Sequence, residues 1–269
     1  MTHPDLGSLV LYNAPQSTCS QRVRYALHHK GLGFEERKLD LFTGDQLKPD
    51  YLALNPNGVV PTLLHDGEPV IDSAVILEYL EDVAGDLAPL RPKDPLEIAR
   101  MRAMMRFIDE VPAGAIRVPS YNLAFLPHYQ AMTEGEFRAL CDSKPLRREF
   151  LMKMGRTGFP KPEMDEALSR LQRGIDRMAG WLAESGGPWL MGRELGLADV
   201  MILPVIVRME DIGLDHLWRD APQIGDWQIG DWLASMQASP AYRKTYYHGS
   251  LLTEKYPHLR QSLKAGSAA

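Results

Sequence analysis

Asn57-Gly58-Val59-Val60-Pro61-Thr62-Leu63-Leu64, then His65-Asp66-Gly67-Glu68, then Pro69-Val70-Ile71-Asp72-Ser73 is the stretch on which the fold turns. Two short apolar runs around a glycine-containing turn read as a β-hairpin. Pro61 follows a valine at the entry to the first of these strands, which suits a cis X–Pro turn. Beyond Ser73 the pattern changes: Val75, Ile76, Tyr79 and Leu80 share one helical face and predict a helix over 73–83. Working backward, Tyr51 to Leu54 reads as a short helix closed by Asn55-Pro56-Asn57-Gly58, and Phe34 to Leu39 as a strand. Ser8 to Tyr12 is a buried strand running into a loop at Asn13-Ala14-Pro15. Between them Cys19, Val23, Ala26 and Leu27 recur at helical spacing, and Gly31 is a natural helix stop.

The order βαβ, short helix, ββα is the thioredoxin-type arrangement. Asp86 to Pro95 then reads as a linker, because Pro89, Pro92 and Pro95 cannot share one regular element. Everything beyond is helical in pattern. The expected fold class is α/β plus all-α: a thioredoxin-like domain over 1–86, a linker over 87–94 and a helical-bundle domain over 95–269. Asp94 caps the first bundle helix, with Pro95 at its first position and Glu97 reaching back, and Ile98, Met101, Met105 and Ile108 form its buried stripe. From Pro112 to Pro162 repeated prolines break the pattern, which predicts an irregular excursion forming walls rather than core. Met164, Leu168, Leu171, Ile175, Met178 and Leu182 mark a long bundle helix. Gly196-Leu197-Ala198-Asp199 opens a helix that is apolar all round through Val207, hence central, with Gly196 as cap and Asp199 returning a bond. Ile224-Gly225-Asp226-Trp227 recurs as Ile229-Gly230-Asp231-Trp232, a local duplication, and Lys264 to Ala269 reads as a disordered tail.

Composition narrows the function. The 269 residues carry 30 Lys+Arg against 35 Asp+Glu, a net charge of −5 with no basic run, which disfavours a dedicated nucleic-acid binder. A hydrophobic content of 45% with 24% charged residues is that of a globular chain rather than a disordered one. Two cysteines, Cys19 and Cys141, exclude a disulfide framework. No basic-then-apolar leader precedes Asp5, and the longest apolar run, Val200 to Val207, is far short of the ~18 residues of a membrane span. The expectation is a soluble protein of the reducing cytoplasm with no membrane partner. The histidines show no metal-ligand spacing and no glycine-rich phosphate loop occurs, so no metal is expected.

Three places can carry chemistry. Gln16-Ser17-Thr18-Cys19-Ser20-Gln21-Arg22 lies where the first strand meets the first helix, and a helix start favours anions such as a thiolate. Helix capping needs only one of these hydroxyls. A dithiol centre would need a second cysteine at position 22, which is Arg. A cis turn at Val60-Pro61 would expose the Val60 N–H and C=O to an extended peptide, although a plain turn also explains it. Asp72-Ser73 opens the next helix: Ser73 as cap can hold a carboxylate and Asp72 an ammonium, matching the zwitterionic end of an amino acid, or the pair is an ordinary cap.

In that order within one thioredoxin-type domain, these segments resemble the glutathione transferase superfamily. The resemblance rests on Ser17-Thr18-Cys19-Ser20-Gln21-Arg22-Val23-Arg24, Asn55-Pro56-Asn57-Gly58-Val59-Val60-Pro61-Thr62-Leu63, and Asp72-Ser73 with Ile76-Leu77-Glu78-Tyr79-Leu80. Gly196-Leu197-Ala198-Asp199 matches the family's capping motif with Gly in place of Ser or Thr, a departure worth about a few tenths of a kcal/mol. Ser17-Thr18-Cys19-Ser20 is similar to the Ser-Ser-Cys motif of zeta-type maleylacetoacetate isomerases and related dehalogenases. Asp72 to Val83, Leu90-Arg91-Pro92-Lys93-Asp94-Pro95 and the excursion holding Phe159-Pro160 are most like bacterial β-etherases, which use glutathione to cleave β-aryl ethers.

The resemblance implies glutathione as cosubstrate, no metal, and a two-fold dimer, either of identical chains or with a related one. A free thiol has a pKa near 8.5, and lowering it by ~2 units takes about 2.7 kcal/mol of preferential thiolate stabilisation, which a hydroxyl with a helix N-terminus can supply. By alignment with the zeta-type serine, Ser17 is the first choice for that hydroxyl. Ser20 or a backbone N–H takes the role if the β-etherase alignment governs, and Cys19 would form a mixed disulfide if the chain behaves like omega-type members. Val60, at the Pro61 turn, would pair with the cysteinyl backbone, Asp72 and Ser73 would hold the γ-glutamyl end, and Asn57 and Lys48 are candidates for the glycyl carboxylate. A hydrophobic aromatic electrophile would lie between domains against Tyr121, Phe125 and Tyr129, which are equally explained as packing. The favoured reaction is thiolate attack on an aromatic or aryl-ether electrophile; isomerisation, dehalogenation and a non-catalytic glutathione-binding module are the alternatives.

Overall fold

The computed structural model describes residues 6–219 and 228–266. Its first half contains β1 (Leu9–Asn13), α1 (Thr18–His29), β2 (Glu35–Lys38), α2 (Pro49–Leu54), β3 (Thr62–His65), β4 (Glu68–Ile71) and α3 (Ser73–Ala84). The strands form one sheet in the order β2-β1-β3-β4, with β2 parallel to β1 and the other pairs antiparallel. This is the expected thioredoxin-type arrangement. Alternation along β1 buries Leu9, Leu11 and Asn13. On α3 the stripe differs from expectation: Val75 is 55% exposed, and Leu77 joins Ile76 and Leu80 in the core. At 100° per residue positions 76, 77, 80 and 84 fall within one 100° arc, and 75 falls on the opposite, solvent-facing side.

An irregular connection then leads to α4 (Pro95–Glu110). Asp94 caps it by accepting from the Leu96 and Glu97 N–H groups. Glu97 does not reach back as expected; its carboxylate pairs with Arg100 one turn on. The excursion is not irregular but helical in short pieces: α5 (Pro112–Ala115), α6 (Arg117–Ser120), a π-helical turn (Tyr121–Phe125), α7 (Leu126–Gln130), α8 (Glu134–Asp142) and α9 (Arg148–Met154). Pro112 and Pro127 stand in the first turns of α5 and α7, where a missing N–H costs nothing, so these prolines start helices rather than prevent them. The segment also has a core of its own, formed by Tyr129, Phe137, Cys141, Leu151, Met154 and Phe159.

The bundle is completed by α10 (Lys161–Ser185), α11 (Leu197–Asp211), α12 (His216–Arg219), α13 (Ile229–Ala238), α14 (Pro240–Thr245), α15 (Leu252–Lys255) and α16 (Pro257–Gly266). As expected, α11 is buried nearly all round and packs on α1 and α4. Asp199 accepts from the Gly196 N–H at 3.0 Å, and also from the Leu190 N–H at 3.1 Å and the Trp232 indole at 2.7 Å. Of the duplication, Ile229-Gly230-Asp231-Trp232 opens α13, while 224–227 lie outside the described residues. The expected disordered tail is in part α16: Leu259 is buried and Leu263 packs on the core, so the helix runs to Gly266. Residues 267–269 lie outside the described residues. Among the described residues no helix is long and apolar enough to cross a membrane, and no group of three His, Cys, Asp or Glu could hold a metal ion.

Candidate functional site

The sheet brings the three sequence features to one end. Strand register sets Tyr12 beside Thr62 and Thr62 beside Ile71. The loop after β1, the Val60-Pro61 turn before β3 and Asp72-Ser73 after β4 are therefore neighbours. Val60-Pro61 is cis. Among the described residues the Val60 N–H and C=O have no hydrogen-bond partner, because the turn leaves them outside the ladder. The turn itself is held: the Tyr51 hydroxyl donates to the Val59 carbonyl at 2.5 Å, and the Asn55 amide donates to the same carbonyl and to Thr62 Oγ1, both at 3.0 Å. Gly58 takes a left-handed φ of +59°, and a Cβ there would meet Leu47 at 3.0 Å.

At the start of α1, Ser17 is the cap, its Oγ accepting from the Ser20 N–H at 3.3 Å. The Thr18 and Cys19 N–H groups have no partner among the described residues. Ser20 points the other way: it is fully buried and accepts from the Ala14 N–H. Cys19, counted at sequence level within the apolar stripe of α1, instead lines the cleft described below, while Val23, Ala26 and Leu27 are buried. At α3 the cap is Asp72 rather than Ser73; its carboxylate accepts from the Ala74 and Val75 N–H groups with the backbone at φ +73°. The Ser73 hydroxyl faces inward and accepts from Arg22 at 3.2 Å.

A cleft of about 180 Å³ opens between the two halves. Ser17, Thr18, Cys19, Asn57 and Val60 lie on its sheet-domain side, and Arg117, Tyr121, Phe125, Tyr129 and Arg147 on its helical side. Phe42, from the segment after β2, reaches across to Phe125 with ring centroids 5.5 Å apart. Tyr121 and Tyr129 stack at 6.0 Å, and burial pushes both phenols upward, Tyr129 well above its ordinary range, so they stay protonated. Lys48, Asp72 and Ser73 do not line this cleft, and Lys48 pairs with Asp45 at 2.7 Å.

Three buried arginines, whose role sequence reasoning missed, hold the site. Arg24 donates to Asn13 Oδ1 at 2.6 Å and to the carbonyls of Pro15 and Thr245. Arg208 donates to the Gln16 carbonyl at 2.5 Å. Arg22 donates to Ser73, to Asp109 on α4 and to the Met201 carbonyl on α11. One signal was available: Arg22 stands three residues after Cys19 and four before Ala26, within the apolar stripe, where an arginine must find partners.

Comparison with known proteins agrees with this architecture. The glutathione S-transferase N-terminal domain model matches residues 16–83 and the C-terminal domain model residues 161–261. Protein LigF of Sphingobium sp. is 30% identical over 89% of this chain and 93% of its own. Maleylacetoacetate isomerase of Mus musculus is 29% identical over 78% and 82%. The crystal structure of beta-etherase LigF superposes with a TM-score of 0.78 at 27% identity, covering 89% of this chain and 98% of that one. By sequence and by architecture, the chain belongs to the glutathione S-transferase family.

Proposed function

We propose that the chain cleaves β-aryl ethers with glutathione, the sheet unit (1–86) holding the tripeptide and the helical unit (95–269) the electrophile. What carries this reading is the wall of Tyr121, Phe125 and Tyr129 standing opposite Ser17 and the free Thr18 and Cys19 N–H groups. The residues present fit glutathione: a peptide backbone has an unpaired partner at Val60, and an anionic sulfur has donors at the start of α1. Glutathione, when bound, supplies a sulfur nucleophile whose attack forms a C–S bond as the C–O bond to the aryloxide breaks, the aryloxide leaving with the electron pair. Ser17 donates its hydroxyl hydrogen to the sulfur while its lone pair keeps capping α1, and the N–H groups of Thr18 and Cys19 add positive potential. Ser20 is buried outside the cleft lining and accepts from Ala14, which favours Ser17 for the hydroxyl role. Cys19 flanks the sulfur position. Asp72 orients the γ-glutamyl ammonium with the carboxylate oxygen that does not cap α3, and Asn57 meets the glycyl end. The aromatic wall excludes water and stacks on the aryl ring.

The protein would act in the cytoplasm as a dimer, of identical chains or with a related one. Similarity to LigF in both sequence and structure favours ether cleavage over the isomerisation named for the mouse relative. The test is glutathione-dependent phenol release from a model β-aryl ether, run beside isomerisation of a maleyl compound. Isomerisation alone, or binding without either product, refutes the ether-cleavage reading.

A further inference from the structure

The cleft is charged against the trend of the chain. The net charge is −5, yet no aspartate or glutamate lines the cleft, while Arg117, Lys144, Arg147 and Arg208 all do. Arg208 is committed to Gln16 and Ser120, with Asp211 at 3.9 Å. Among the described residues the side chains of Arg117 and Lys144 have no hydrogen-bond or ion-pair partner, and the Arg147 guanidinium donates only to the carbonyl of its neighbour Leu146 at 3.2 Å. Burial, and then the charge of Arg117, pulls the Arg147 pKa down; burial does the same to Lys144. Tyr121 lies within the field of both arginines.

Guanidinium groups with no carboxylate partner beside a protonated phenol, in a half-enclosed apolar cleft, form a receptor for a planar two-oxygen anion. Glutathione's own carboxylates do not account for it. The γ-glutamyl end is assigned to Asp72-Ser73 and the glycyl end to Asn57, both on the sheet side. Arg117 and Arg147 stand on the helical side, on α6 and just before α9, within residues 84–160 that neither family model covers. We propose that the aryl electrophile bears a carboxylate, and that Arg117 and Arg147 are the specificity-determining residues that bind it, with Lys144 adding a third positive charge. This rests on the reading that the electrophile lies against this wall.

Titration calorimetry on the whole chain tests it with S-(4-carboxybenzyl)glutathione and S-benzylglutathione. The carboxylated ligand should bind about tenfold or more tighter, the effect of one charge-assisted pair. That ratio should fall to near one in Arg117→Gln/Arg147→Gln and be partly restored in Arg117→Lys/Arg147→Lys. Equal affinities in the wild type overturn the proposal, as does a double variant that weakens both ligands alike, which would assign the arginines to glutathione. Phenol release from ethers with and without the carboxylate separates the two readings. A chain that prefers the carboxylated ligand yet cleaves neither ether keeps the anion site and loses ether cleavage. A chain that cleaves both ethers at one rate and shows equal affinities keeps ether cleavage and loses the anion site.

Discussion

On the sheet side of the cleft, the N–H groups of Thr18, Cys19 and Val60 are displayed by backbone whose supports belong largely to the interior of the molecule. On the helical side, Tyr121 and Phe125 stand on the π-helical turn and Tyr129 on the proline-started α7, around a small cluster of their own. The first wall recognises chiefly through main chain, supplemented by a few short polar side chains such as Ser17 and Asn57. The second recognises through side chains on a semi-independent platform. Substrate choice can therefore change on one wall without moving the thiol site on the other.

The largest effect is expected where both walls share a foundation. Asp199 is fully buried and accepts from Leu190, Gly196 and Trp232. Asp199→Ala strands these donors and should cost about 3–5 kcal/mol in denaturant unfolding, lowering both walls together. Loss confined to one wall in hydrogen exchange would show that Asp199 is not common ground. Burial also raises its pKa to about 6 in the folded chain. The unfolded value is near 3.9, so the folded state binds the proton more tightly and this contribution to stability grows as pH falls from about 7 toward 4. Asp199→Asn should remove that part of the pH slope.

Next in size, Leu151→Ala cuts into the small cluster and should cost about 2–5 kcal/mol. The signature is loss of amide protection over 112–160 while β1, β3 and α1 keep theirs; equal loss everywhere would mean the walls are one unit. Ser17→Ala should move the pH at which bound glutathione shows thiolate absorbance upward by about one unit, or about 1.4 kcal/mol. An unmoved titration removes Ser17 from thiol activation. The smallest effect is expected for Tyr51→Phe, which leaves the Val59 carbonyl to Asn55 alone and should weaken glutathione binding by about 0.5–1.5 kcal/mol with kcat nearly unchanged. A fall in kcat alone would place the turn's role in chemistry rather than binding.

The same contrast explains what could be read from the sequence. The sheet wall was legible because local rules write it: a hairpin turn, a cap hydroxyl, an X–Pro step and strand alternation each act within a few residues. The helical wall was not, since its prolines look identical whether they break a helix or begin one. The Asp72 cap was misplaced by one residue because Asp and Ser cap almost equally well. Tyr121, Phe125 and Tyr129 do line the cleft, but Arg117 and Arg147 gave no periodic signal; their meaning comes from the absence of acidic neighbours, a property of the folded surface.

Arg22 carries one more consequence. A single guanidinium on α1 holds the hydroxyl of Ser73, the carboxylate of Asp109 and the carbonyl of Met201, so three segments distant in sequence meet on one side chain. A chimera that joins this sheet domain to a foreign helical half inherits that cation without its acceptors. Domain shuffling at the linker should therefore succeed only with donors that carry a carboxylate at the position of Asp109, and co-expressed halves should assemble rather than persist as separate soluble pieces.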